Sequence, residues 1–277
     1  MEKLGSVLIT GCSSGIGAST AEVLREAGWD VIASARKTAD VIRLREDGFK
    51  AVLIDSTDST TIEAGFEEAG SLSTSGRIWG VFCNAGYGQP GAIEDVSVDG
   101  LRKQLETNVV GTHALIKLAC RHMRAKGGGR LLINGSVLGI VGLKYRGAYV
   151  ASKFAIAGYS DVLRMELKGS GIDVCLIEPG PVYTRFRENG LKAFREHVVL
   201  EDSRHADRYV GLEKKLATEG PVAPFTMTSR RCGEIAAKAL TCKRPKAKYR
   251  VTVQTKVFSV LKRILPTWLM DRVAARG

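Results

Sequence analysis

The chain predicts an α/β fold: a doubly wound parallel sheet with helices on both faces, forming one domain over residues 1–277. Three observations carry that expectation. Short apolar runs of strand length alternate with helix-forming stretches from Val7 to Ile177. Polar and glycine-rich motifs fall at the carboxyl ends of these runs, where ligands bind in parallel sheets. The 277 residues are 44% hydrophobic and 25% charged, which suits a globular chain with a full core.

The elements follow in order. Residues 7–9 read as the first strand, Thr10-Gly-Cys-Ser-Ser-Gly15-Ile-Gly17 as a turn, and 18–27 as a helix ended by Gly28. Strand, glycine turn and helix together form the context of a dinucleotide site. There the backbone approaches a pyrophosphate closely, and helix N–H groups face it. The glycines are spaced Gly-x-x-x-Gly-x-Gly rather than Gly-x-Gly-x-x-Gly. The second strand, 30–35, ends in Arg36-Lys37, where an NAD site would carry an acid for the ribose hydroxyls. A guanidinium there suits a 2′-phosphate, so Arg36 argues for NADP(H). Residues 51–54 form a third strand, with Asp55 at its end placed for an adenine ring, and 60–69 a helix. A fourth strand, 78–82, runs into Cys83-Asn84-Ala85-Gly86, small residues that let a cofactor pass close to the backbone. A long amphipathic helix is expected over 101–123, with Asn108 inside it. The fifth strand, 130–133, ends in Asn134-Gly-Ser136. A helix opens at Tyr149 and runs to about 167, and the sixth strand, 172–177, leads into Glu178-Pro-Gly-Pro-Val-Tyr-Thr184.

Tyr149 and Lys153 are four residues apart, which stacks them on one helix face. An ammonium beside a phenol is expected to lower the phenol's pKa, fitting Tyr149 for general acid–base work on an alcohol or carbonyl oxygen.

Taken together, Thr10-Gly-x-x-x-Gly-x-Gly17, Asn84-Ala-Gly86, Asn108-Val-Val-Gly111, Ser136, Tyr149-x-x-x-Lys153 and Pro179-Gly-Pro-Val-x-Thr184 resemble the short-chain dehydrogenase/reductase family, in order and at similar intervals. The wording of the motifs resembles its hydroxysteroid and retinol dehydrogenase branch, and more closely bacterial NADP-dependent aldehyde reductases. Cys83 departs from the more usual asparagine. The resemblance implies a Rossmann-type domain with a C-terminal substrate lid, an oxidoreductase acting on a carbonyl or alcohol, and a homodimer or homotetramer. It implies that Tyr149 passes the proton, Lys153 tunes it and binds the nicotinamide ribose, and Ser136 bonds the substrate oxygen. Asn108 would hold a relay water. Gly11, Ser13, Ser14, Gly15, Ile16 and Gly17 would contact the pyrophosphate side. Asn84, Ala85 and Gly86 would line the path to the nicotinamide, and Pro179, Gly180, Val182 and Thr184 would anchor its far end.

Substrate choice is expected in three places: the apolar segment 137–145, the charged and irregular stretch at about 185–231 read as a lid, and the tail 251–277. The tail alternates and then turns amphipathic. It could pack over the cleft, against a second subunit, or on a membrane surface; Lys262 and Arg263 interrupt any bilayer-spanning run. The net charge of +12 raises the question of nucleic acid, but no recognition motif accompanies it, so no nucleic acid is expected. Six scattered cysteines without a Cys-x-x-Cys pair, and four histidines without ligand spacing, give neither a disulfide framework nor a metal site. No leader or span is read at the start, and a cytoplasmic protein is expected. Two rivals stay open: a steroid or retinoid dehydrogenase, and a non-catalytic protein that senses NADP.

Overall fold

A computed structural model describes residues 5–221 and 223–274. The chain runs β1 (Ser6–Ile9), α1 (Gly15–Glu26), β2 (Val31–Ala35), α2 (Thr38–Glu46), β3 (Lys50–Leu53), α3 (Ser59–Leu72) and β4 (Ile78–Cys83). It continues through α4 (Val98–Leu105), α5 (Gly111–Ala125), β5 (Gly129–Asn134), α6 (Gly147–Glu166), β6 (Ile172–Glu178), β7 (Val182–Tyr183), α7 (Phe186–His197) and α8 (Ala206–Ala217). It ends with β8 (Met227–Thr228), α9 (Ser229–Thr241), β9 (Lys248–Arg250), α10 (Val253–Ile264) and α11 (Thr267–Ala274). Seven strands form one parallel sheet in the order β3-β2-β1-β4-β5-β6-β9.

The strands are buried on both faces because successive side chains point to opposite layers. In β1, Leu8 joins one core with Val81, Leu131, Ile116 and Ile156, while Val7 and Ile9 join the other with Phe82, Leu24 and Leu240. The strand order reverses between β1 and β4, which opens a crevice at their carboxyl ends.

Three expectations about local structure change. The helix expected at residue 18 starts at Gly15, so the glycine turn supplies its first turn. The single helix expected over 101–123 is α4, a π-turn at Glu106–Val110, and α5. Gly111 lies so close to the Ser56 backbone that a Cβ would clash there, and Asn108 is buried within the π-turn, 2% exposed. π-turns of this kind often mark functional positions. The stretch read as irregular is helical in α7 and α8, whose Phe194, Tyr209 and Leu216 form a small core with Ala92. The tail is helical from its start: Thr252 caps α10 by accepting from the Thr255 N–H, and the edge strand β9 comes before it. Residues 275–277 of the tail lie outside the described residues.

Candidate active site

The polar motifs meet around the β1/β4 crevice. Thr10, at the end of β1, accepts from the backbone N–H groups of Asn84 and Ala85, both at 3.0 Å, through its hydroxyl. Asn84 Nδ2 donates to Thr10 O at 2.8 Å, and Asn134 Nδ2 donates to Asn84 Oδ1 at 3.1 Å. Lys153 Nζ donates to Asn134 O at 2.6 Å. One chain of hydrogen bonds therefore ties β1, β4 and β5 to α6.

The glycine turn forms a backbone cradle on one side of the crevice. Gly11 and Gly15 take φ of 71° and 66°, the left-handed region, and a Cβ on Gly17 would clash with Gly11 O. Ser14 caps α1 without a side-chain hydrogen bond, and the first turn carries no acid. The exposed helix dipole and free N–H groups there suit an anion. Ser13 O accepts from Arg43 at 3.0 Å, and Ile16 lies in the first helical turn. Arg36 stands exposed beyond β2. Asp55, beyond β3, uses Oδ1 to accept from the Thr57 N–H and hydroxyl at 2.9 and 2.8 Å.

Thr184 closes the cradle from the other end of the chain. A Cβ on Gly15 would lie 3.1 Å from Thr184 Cγ2. Pro179 O accepts from the Val137 N–H at 2.8 Å, Gly180 packs against Thr252, and Val182 pairs with Met227 in the β7–β8 ladder.

Tyr149 and Lys153 lie on the buried face of α6, 8% and 6% exposed, and Ser136 is buried at the end of β5. Burial pushes the Tyr149 phenol up to about 12, with partial offset from the nearby Ser136 hydroxyl and from the Arg146 charge. Burial pushes the Lys153 ammonium down to about 8. The expected lowering of the phenol by Lys153 is thus overturned. Lys153 Nζ sits 5.7 Å from the centre of the Tyr149 ring and is directed at Asn134 O, and desolvation is the larger effect.

Asn108 is a brace. Its Nδ2 donates to Tyr87 O and Ser152 Oγ, both at 3.0 Å, and its Oδ1 accepts from the Tyr87 N–H at 3.2 Å. Ser152 in turn donates to Tyr149 O at 2.8 Å. Asn108 therefore holds the loop after Gly86 against the helix that carries Tyr149.

Sequence reasoning overlooked Asn134, which links Asn84 to Lys153 and whose Oδ1 is buried without a donor among the described residues. Its position beside Ser136 was the available signal. It also overlooked Phe186, whose ring packs edge-on to Tyr149 at 5.3 Å between centroids. A Cβ on Gly88 would sit 2.6 Å from Phe186 Cζ and 3.4 Å from Tyr149 Cδ2, so these three residues pack against one another. No sequence pattern marks Phe186, because its role depends on where α7 begins. Among the described residues no group of His, Cys, Asp or Glu is arranged to hold a metal ion, and all six cysteines are free.

The cradle, the crevice and the unpaired Asn134 oxygen fit a dinucleotide. Comparisons with known proteins agree. A family model described as short chain dehydrogenase matches residues 5–193. The chain is 38% identical to the uncharacterized oxidoreductase YbbO of Escherichia coli K12, over 97% of this chain and 93% of that one. It is 33% identical to human 17-beta-hydroxysteroid dehydrogenase type 1, over 89% of this chain and 77% of that one. A short chain dehydrogenase of Burkholderia cenocepacia J2315, solved in complex with NADP, shares the fold at a TM-score of 0.76 and 20% identity, covering 98% of both chains.

Proposed function

Because the chain belongs to the short-chain dehydrogenase family and is an oxidoreductase of it, we propose that it uses NADP(H) to interconvert a lipophilic aldehyde or ketone with its alcohol. The observation that carries this reading is the buried Tyr149–Lys153 pair beside Ser136, tied by Asn134 and Asn84 to the glycine cradle.

In this reading Gly11, Ser13, Ser14, Gly15, Ile16 and Gly17 receive the pyrophosphate at the α1 N-terminus. Arg36 receives the 2′-phosphate, and Asp55 borders the adenine. Asn84, Ala85 and Gly86 wall the path to the nicotinamide, whose end rests on Pro179, Gly180, Val182 and Thr184. The bound nicotinamide supplies or accepts the hydride. Everything else falls to the protein.

Tyr149 gives its proton to the carbonyl oxygen as that oxygen gains charge. A phenol held at about 12 is protonated at neutral pH, so Tyr149 is ready as the acid of carbonyl reduction. Ser136 donates a hydrogen bond to the same oxygen and stabilises its developing charge. Lys153, anchored on Asn134 O, offsets the negative charge left on Tyr149. Asn108 keeps the Tyr87 peptide against α6 and, by the family resemblance, holds the relay water. The segment 185–231, entered through Phe186, acts as the lid that excludes water from Tyr149.

Gly88, Phe186 and the apolar segment 137–145 support a lipophilic substrate. The free cysteines suit a reducing compartment such as the cytoplasm. The outer face of α6, with Phe154, Val162 and Met165 exposed, supports assembly as a homodimer or homotetramer. The deciding experiment follows oxidation of NADPH, beside NADH, with medium-chain aldehydes, a retinal and a ketosteroid. NADPH-linked turnover of one class is expected. Binding of NADPH with turnover of none would replace the enzyme reading with a dinucleotide sensor.

A further inference from the structure

Helix α10 carries its apolar stripe on the outside. Val253, Val257, Val260 and Ile264 recur at helical spacing, so they share one face, and they are 52%, 47%, 56% and 68% exposed. The opposite face, turned into the protein, presents Thr255 at 0% and Ser259 at 5%. A helix that only covered a core would show the reverse. Beyond Pro266, α11 also carries an exposed apolar group, Trp268, 59% exposed, and the Arg272 guanidinium lies 5.1 Å from its ring centre.

Charge is segregated in the same part of the chain. Residues 235–277 hold eleven of the 41 lysines and arginines but only one of the 29 acids, Asp271. Thus +10 of the net +12 belongs to these residues, and the rest of the chain is nearly neutral. Lys256 and Arg263 are exposed on α10 itself.

We infer that the outer face of α10 and α11 docks on an anionic lipid bilayer. The valines, Ile264 and Trp268 enter the boundary between head groups and acyl chains, and Lys256, Arg263 and Arg272 meet lipid phosphates. A second copy is the poorer occupant. A two-fold contact lays this face against itself and brings the exposed Lys256, Arg263 and Arg272 of two copies together across it. Docking is in the plane of the surface, since no helix among the described residues is long and apolar enough to cross a membrane.

The test is co-sedimentation of the intact protein with vesicles of phosphatidylcholine alone and of phosphatidylcholine mixed with phosphatidylglycerol, reading tryptophan emission in parallel. The mixed vesicles should carry down about tenfold more protein. Emission should shift to the blue, and Trp268→Phe should abolish the shift, because Trp29 and Trp79 stack on each other within the fold. Val257→Asp with Val260→Asp should release the protein from vesicles while its circular dichroism melt is unchanged. Lys256→Gln with Arg263→Gln, which leaves the stripe intact, should weaken binding several-fold. Equal recovery from both vesicle types, or none, overturns the inference. So does binding that survives the two aspartates, which would be charge attraction without insertion. A wild-type dimer that Val260→Asp splits, with no vesicle binding, assigns the face to a second copy and also overturns it.

Discussion

The rim around the β1/β4 crevice and the outer face of α10 break the burial rule in opposite directions. At the rim, Asn108, Ser136, Tyr149 and Lys153 are taken out of water, and backbone carbonyls and amides at strand ends compensate them. On α10 the apolar groups stand in water while Thr255 and Ser259 are hidden. Each departure costs stability if the protein is considered alone. Such a cost suits a fold where it meets something else: the proposed cofactor and substrate at the rim, the proposed bilayer at α10.

The largest way to break the rim is to remove its proton. Tyr149→Phe keeps the ring against Phe186 but deletes the hydroxyl. It should lower kcat by roughly 10²–10⁴-fold, while NADPH affinity, measured by fluorescence titration, stays close to wild type. Full turnover in this variant would take Tyr149 out of the mechanism. Next comes cofactor choice. Arg36→Asp replaces a cation with a carboxylate, and the NADPH-over-NADH ratio of kcat/KM should fall by about 10–100-fold. An unchanged ratio would mean that another group receives the 2′-phosphate, such as the neighbouring Lys37 or Arg43, which donates to Ser13 O.

The pH profile separates the two buried groups. Below about 12 the Tyr149 phenol keeps its proton, so the acid form is complete through the neutral range. Lys153 is charged below about 8 and loses that charge as the pH rises through it, because burial has pulled it down from the usual lysine range. Reductive kcat should therefore hold at neutral pH and decline above about 8, whereas alcohol oxidation, which needs the phenolate, should keep rising. Lys153→Met should remove the decline. A decline that persists there belongs to a different group.

Much of the rim was legible because its chemistry hangs on backbone positions that few residue types tolerate. Gly11, Gly15 and Gly17 mark a turn that side chains would fill, and Tyr149 and Lys153 need only helical spacing to share a face. The sheet was legible for the same reason, since parallel strands buried on both faces read as continuous apolar runs. What escaped was set by tertiary contact. The π-turn at Asn108 sits beside the close approach of Gly111 to Ser56, and Phe186 reaches Tyr149 at the start of α7, just after β7. The phenol's upward shift escaped because spacing reports the neighbouring ammonium and not the loss of water around both groups. In α10 the periodicity was visible but not its orientation, and sequence alone does not say which face of an amphipathic helix points outward.

Phe186 opens α7, the start of the proposed lid, and packs on the Tyr149 ring at the rim. Phe186→Ala should raise KM for lipophilic substrates by about tenfold, the contribution of an aromatic face that a bound substrate covers, and leave kcat with a small aldehyde nearly unchanged. A uniform loss of kcat would make the ring part of the Tyr149 environment rather than of the substrate wall.

The smallest effect is the sharpest check on α10. Val257→Ser removes an apolar group that already stands in water, so the transfer free energy it contributes to folding is small. The expected change is within about 0.5 kcal/mol, which moves the melting midpoint by about 2 °C or less. Leu131→Ala is the control on the other side of the comparison: that side chain is 0% exposed between two strands, and its loss should cost about 2–5 kcal/mol. If Val257→Ser approached the Leu131→Ala cost in the isolated protein, the stripe would already be buried against something in solution. A second copy would then be the remaining occupant, and dilution would lower the midpoint of the wild type but not of Val257→Ser.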